Sequence, residues 1–404
     1  MSLHTASHLR LLATRPKVVI TLEEQKGPSS AVYTTLDRVN GTAIICVDRD
    51  TLCDNIDITF EGTSETSLER ATRLSGRRNT THTFLTLRQP IEHDDHPGSL
   101  LLKAGKIYKY PFTFVVPEFL LPQACFHGRH WDCIEKEHTK LPPTFGSVDS
   151  GKVDSILRSL SSEPCQISYQ IRVRVSKGSL RSTKAPRTLV DASKMVHVIP
   201  TSPGILDSKS DYDHLLQPEL AGNGLDKHHL DRLSVTASQP KRVLIDSEND
   251  MERDKGTVTT IHLRYDPMES EDPPHLAKLS TSLNVLTNMK SLPWTGNVSL
   301  GCDEEHHYLS TEEIALSSFS LQSNEWAKHS PAGLVGKEIE RVYYIASITV
   351  PVLLPRGKHF SQTFDSCLIS RFYTLRLCLS VQSPKGRIST PTIAFELPVT
   401  VTST

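Results

Sequence analysis

Apolar and polar residues alternate in short segments along most of this chain, and that period of two narrows the choice of fold. In Ile56-Asp57-Ile58-Thr59-Phe60 every second side chain is apolar. Strand side chains point to opposite faces in turn, so Ile56, Ile58 and Phe60 line one buried face. Strand-like segments recur at 18–22, 42–47, 83–87, 112–116, 167–175 and 195–200, and again at 257–263, 282–286, 342–350, 374–381 and 393–401. Asn40-Gly41 reads as a turn signal before Thr42, and Glu61-Gly62 as a strand end. Helical periodicity is scarce, and 153–160 is the best candidate for one short helix. The chain is therefore expected to be all-β.

Between 201 and 255 the pattern lapses into Ser, Asp, His, Pro and Gly with no sustained period. So long a structureless stretch is unusual inside a compact domain and reads as a polar, flexible linker. The expected organisation is two antiparallel sandwiches, at 18–200 and 256–404, joined by 201–255. With 45 basic against 46 acidic residues the net charge is −1, which gives no global basis for binding nucleic acid. No stretch has the length of a signal peptide's apolar core or of a membrane-spanning helix, so a cytoplasmic protein is expected. Cys46, Cys165 and Cys378 lie in apolar, strand-like runs, where a thiol acts as a small hydrophobe.

Several segments resemble arrestin-family motifs, in the family's order. Val39-Asn40-Gly41-Thr42 and the strand 56–60 with Gly62 resemble an early strand pair. Tyr110-Pro111-Phe112-Thr113-Phe114, with Pro117, Leu121 and Pro122 behind it, resembles a Phe-x-Phe-x-x-Pro strand and its proline-rich exit. Ile167-Ser168-Tyr169-Gln170-Ile171 resembles the strand that closes the N-terminal sandwich. In the second half Ser366-Cys367-Leu368 and Tyr373-Thr374-Leu375 resemble a Ser-rich corner followed by Tyr-x-Leu, and Leu397-Pro398-Val399 a last strand. The wording of 112–125 is most similar to the fungal alpha-arrestins.

That resemblance covers 18–200 and 256–402 and implies two tandem immunoglobulin-like, arrestin-type β-sandwich domains. It also implies a non-enzymatic adaptor, without a cofactor, that couples integral membrane cargo to ubiquitination and endocytosis, with recruitment to the plasma membrane or endosomes. Family members dock a HECT-type ubiquitin ligase through Pro-Pro-x-Tyr, a preformed polyproline segment entering an aromatic groove. None of the ten tyrosines here has proline three residues earlier, and the nearest approach is Pro142-Pro143-Thr144-Phe145. The ligase would then be reached through that degenerate motif, through another adaptor, or not at all. The alternative is an arrestin-fold scaffold or coat subunit in vesicle trafficking, like the arrestin-like subunit of retromer.

Candidate binding residues come from the basic strand. Alternation in 171–177 buries the apolar residues and points Arg172 and Arg174 outward, with Lys177, Arg181, Lys184 and Arg187 following. Several like charges together suit an acidic cargo tail or anionic lipid heads. Cys125, His127, His130 and Cys133 are zinc-type ligands, but Cys125 and His127 are only one residue apart and no distant second pair is evident, so no metal is expected. Glu92, His93, Asp94, Asp95 and His96 lie between prolines and read as a solvated hairpin loop. No His-Glu-x-x-His, Gly-x-Ser-x-Gly or Gly-x-x-x-x-Gly-Lys signature is present, and no catalytic residue is assigned.

Overall fold

The structure is a computed structural model. It describes residues 16–23, 32–69, 76–91, 100–125, 138–146, 164–178, 186–201, 214–215, 219–221, 232–245, 256–268, 272–291, 307–321, 326–330, 342–356, 358–382 and 392–403. The described residues are all-β apart from a single 3-10 turn, as the alternation predicts. It divides into two compact units: residues 1–200 with 289–307 and 365–369, and residues 201–288 with 308–364 and 370–404.

In the first unit, β1 (Lys17–Leu22), β3 (Arg38–Cys46) and β8 (Ile107–Val115) form a sheet in the order β1-β3-β8. A five-stranded sheet runs β2 (Val32–Tyr33), β10 (Arg187–Val198), β9 (Cys165–Lys177), β5 (Asn55–Glu69), β6 (Arg77–Arg88). The short strands β4 (Thr51–Cys53) and β7 (Leu100–Leu102) pair with each other. Phe60 of β5 lies 6.0 Å from Phe114 of β8 between ring centroids, and 5.9 Å from Tyr169 of β9. Phe84 meets Tyr169 edge-on at 5.6 Å. These rings join the two sheets across one core, the packing of a sandwich.

The two glycines read as punctuation lie inside strands, which corrects both readings. Gly41 is in the middle of β3, opposite Leu22 on one side and Phe112 on the other. A Cβ there would come within 2.3 Å of the Thr21 carbonyl oxygen and 2.5 Å of the Phe112 ring. Close approach, not a turn, accounts for this glycine. Gly62 marks a register shift between β5 and β6, and β5 continues beyond it to Glu69. A Cβ on Gly62 would meet the Phe84 ring at 2.6 Å. The dipeptides Asn-Gly and Glu-Gly cannot distinguish a chain reversal from a place where an aromatic ring needs room.

In the second unit, one sheet runs β11 (His214–Leu215), β13 (Leu233–Ala237), β15 (Gly256–Tyr265), β19 (Tyr343–Leu353), β18 (Ala327–His329). The other runs β12 (Glu219–Ala221), β22 (Thr392–Val399), β21 (Ile369–Gln382), β16 (His275–Lys290), β17 (His307–Ser320), with β20 (Phe364–Asp365) pairing β21. β14 (Val243–Ile245) pairs in parallel with β23 (Val401–Ser403). Val235, Ile261, Leu283, Ile348, Leu377 and Phe395 are among the residues of a single apolar core. The stretch 201–255, read as linker, differs from that expectation because β11 to β14 lie within it and pair with strands of this unit. These strands are short, and partners distant in sequence satisfy their backbone groups; β13 alternates, with Leu233, Val235 and Ala237 buried, but over too few residues to stand out from the polar stretch around it. The helix expected at 153–160 lies outside the described residues.

Candidate functional site

The basic strand is β9. Antiparallel register sets Asp57 of β5 and Asp191 of β10 directly opposite Arg174, on either side of it. Residues two apart on neighbouring strands share a face. One face of the sheet therefore carries Asp57, Thr59 and Glu61 on β5, Gln170, Arg172 and Arg174 on β9, and Asp191 on β10. Arg172 donates to both Asp191 oxygens, at 2.8 and 2.6 Å, and to Glu61 Oε2 at 3.3 Å. Arg174 reaches Glu61 Oε1 at 3.4 Å and Asp191 Oδ2 at 3.6 Å. Arg88 pairs with Asp57.

Glu61 is the centre of this arrangement. Its side chain is only 7% exposed, against 30% and 41% for Arg172 and Arg174, so the two guanidinium groups cover it. Thr59 donates to Glu61 Oε1 at 2.9 Å and Gln170 to Oε2 at 3.4 Å, so both oxygens are engaged. A buried carboxylate needs this, because a charge out of water is costly unless paired and hydrogen-bonded. The bidentate bonds from Arg172 hold the Asp191 carboxyl below the usual carboxylate range, against a smaller opposing effect of burial. The same bonds raise Arg172 further above its already high value.

Three cations, Arg88, Arg172 and Arg174, thus face three carboxylates, Asp57, Glu61 and Asp191, and this part of the face is close to neutral. The exposed Lys177 ends β9 directly opposite the exposed Arg187, which begins β10. Those two are the described members of the expected patch that stand outside the network. Arg181 and Lys184 lie outside the described residues. Linear reading missed Glu61 and Asp191 as partners, because alternation within a strand does not say which strands pair or in what register.

The segment with Pro142, Pro143 and Phe145 is stitched into the first unit. Phe145 and Ile167 exchange backbone bonds at 3.0 and 2.8 Å, and Thr144 N–H donates to the Val198 carbonyl at 2.8 Å. The buried Tyr169 hydroxyl donates to the Pro142 carbonyl. Both proline rings are buried. A WW-domain ligand presents its proline rings to an aromatic groove, and in this conformation these rings face inward.

A second cluster lies within the same unit. Cys125 follows a 3-10 turn, Pro122–Ala124, and its N–H donates to the Pro122 carbonyl at 3.3 Å. Leu120 N–H donates to the Thr139 carbonyl at 2.7 Å, and Phe119 bridges Lys140, which holds the chain before Cys125 beside His138. Cys367 comes from a tight corner in which the Ser366 hydroxyl donates to the Ile369 carbonyl at 2.6 Å. Cys125 Sγ is 3.6 Å from His138 Nδ1. One ligand atom from each of Cys125, His138 and Cys367 lies within 4.8 Å of the others, and all three residues are buried. His138 Nε2 is 3.3 Å from Asp365 Oδ1.

Burial opposes charging of His138, but its hydrogen bonds to Asp365 and Cys125 outweigh it and lift the imidazole to about 9. The hydrogen bond with Cys125, together with burial, pushes the Cys367 thiol up. Cys125 was among the metal-type ligands noted in the sequence, whereas His138 and Cys367 were not. His127, His130, Cys133 and the acidic group at 92–96 lie outside the described residues. No linear signal points to Cys367, because the corner that carries it reaches Cys125 only through the fold.

Among the described residues no helix is long and apolar enough to cross a membrane. No protein-family model matches the chain, and no curated protein is significantly similar to it.

Proposed function

We propose that this chain is a non-enzymatic, arrestin-type adaptor that recruits integral membrane cargo for ubiquitin-dependent endocytosis and sorting. The observation that carries this reading is the ordered set of arrestin-like motifs, which fall on strands of an all-β chain. Phe112 and Phe114 lie on β8, Tyr169 on β9, Tyr373 and Leu375 on β21, and Leu397 on β22. Phe112, Phe114 and Tyr169 all belong to the ring cluster that fills the first core. A fold hosts many functions, so the role rests on the motifs and on the exposed pair Lys177 and Arg187, not on the sandwich alone. Cargo contact would use Lys177 and Arg187, whose charge is not drawn into the Glu61 network, with Arg181 and Lys184 between them in sequence.

The burial of Pro142 and Pro143 favours a second reading, a scaffold or coat subunit that acts without a ubiquitin ligase. One experiment separates the two. Full-length protein is purified gently from cells and probed for transporters, coat subunits, ubiquitin and a HECT-type ligase. Transporters with ligase support the adaptor, and stoichiometric coat subunits without ligase support the scaffold. Recovery of neither transporters nor coat subunits sinks both. Changing Lys177 and Arg187 together to Glu is expected to lower cargo recovery several-fold with unchanged folding; unaltered recovery removes this surface from the account.

A further inference from the structure

We propose that Cys125, His138 and Cys367 form a metal centre for a single soft divalent cation, with zinc the natural occupant and Asp365 holding the histidine in position. In tetrahedral zinc sites Zn–S is about 2.3 Å and Zn–N about 2.0–2.1 Å, which sets sulfur and nitrogen about 3.6 Å apart. Cys125 Sγ and His138 Nδ1 are 3.6 Å apart. Cys367 supplies the third donor inside the same 4.8 Å cluster. Two sulfurs and one imidazole nitrogen are a donor set suited to zinc and disfavoured by magnesium or calcium, which take oxygen.

The histidine is arranged as a metal ligand requires. A metal-bound imidazole commonly donates its other ring N–H to a carboxylate, which fixes the tautomer and the ring plane. Asp365 Oδ1 stands 3.3 Å from Nε2, on the side of the ring away from Cys125. An ionised carboxylate can only accept, so it places hydrogen on Nε2 and turns Nδ1 toward the sulfurs. Asp365 and Cys367 come from the same corner, so one short segment delivers both a ligand and its ligand's support.

Charge and burial agree with this assignment. Two thiolates and a neutral imidazole cancel the charge of a divalent cation, so the assembled centre is neutral where its ligands are buried. Binding releases the two thiol protons and the Nδ1 proton of the imidazolium to solvent, and forms two metal–sulfur bonds and one metal–nitrogen bond, with no change in oxidation state. Three protein ligands leave the fourth position to a water molecule or another donor. The site lies within the first unit and joins the corner at 365–369 to the body of 1–200. A structural metal there would stabilise that attachment.

The test uses full-length protein prepared with zinc and reducing agent and without chelator. Metal analysis is expected to find one zinc per chain that survives gel filtration. Replacement by cobalt is expected to give the visible bands of a tetrahedral ion together with thiolate-to-cobalt charge transfer. Cys125→Ser with Cys367→Ser should abolish both signals. Asp365→Asn, which leaves all three ligands in place, should weaken affinity by roughly 10- to 100-fold. Absence of bound zinc after loading overturns the proposal, as does zinc retained by the double serine variant. Recovery of Cys125 and Cys367 as a disulfide in the same reducing buffer also overturns it. The wild-type cobalt spectrum decides the matter even where a serine variant does not fold.

Discussion

The arginine face and the thiol–imidazole cluster both gather polar side chains in the first unit, and they do so by opposite routes. On the face, neighbouring strands present the groups: β5, β9 and β10 run side by side, and register alone sets Asp57 and Asp191 beside Arg174. In the cluster, a 3-10 turn, a bridge segment and a distant corner converge with no shared register. The face satisfies its charges internally, because Glu61 and Asp191 complete Arg172 and Arg174. The cluster crowds soft donors around one point while a carboxylate orients the imidazole. Satisfied charge points to structure and to a surface that has to be bound elsewhere, and convergent donors point to a ligand.

The cluster should show the greatest change on perturbation. Zinc at a hundredfold excess over its dissociation constant should raise the unfolding free energy by about 2.7 kcal/mol. The gain, read from urea unfolding with and without zinc, should vanish in the variant with Cys125→Ser and Cys367→Ser. An equal gain in that variant would make the cluster no different from any buried polar group.

Next comes Glu61→Ala. It removes the acceptor beneath two guanidinium groups and leaves Thr59 and Gln170 short of a partner. The expected loss is about 2 kcal/mol, from the cost of unsatisfied buried polar groups. A loss under about 0.5 kcal/mol, typical of an ordinary surface change, would mean that the face is solvated and the network contributes little.

Smaller effects separate the two arginines. Arg172 makes the bidentate bond with Asp191, and Arg174 only the longer contacts, so Arg172→Ala should cost about 1 kcal/mol and Arg174→Ala less. The reverse order in chemical denaturation would contradict the pairing. The smallest effect is in pH. Asp191 is depressed in the folded state, so its contribution is complete above its unfolded value of about 3.9 and is lost as pH falls through the folded value. The stability difference between wild type and Asp191→Asn should stay level from neutrality to about pH 5 and shrink below about pH 4. A difference that shrinks on raising the pH instead would remove the ion pair from the explanation.

The class of fold and the inward faces of the main strands are legible in the linear pattern of residues. Period-two alternation acts locally, and Ile56, Ile58 and Phe60 are buried as the pattern requires. It also determined that Arg172 and Arg174 point away from the core, since Ile171, Val173 and Val175 between and beside them are fully buried. Tertiary structure decided what those arginines do, because Glu61 and Asp191 arrive on strands that register alone aligns. It decided that Gly41 and Gly62 make room for Phe112 and Phe84, not turns, and that the short strands β11 to β14 lie within 201–255. It also brought Cys367 and His138 to Cys125. Alternation concerns neighbours in the chain, whereas metal spacing, charge pairing and ring packing concern neighbours in space, and only the closed fold makes those the same residues.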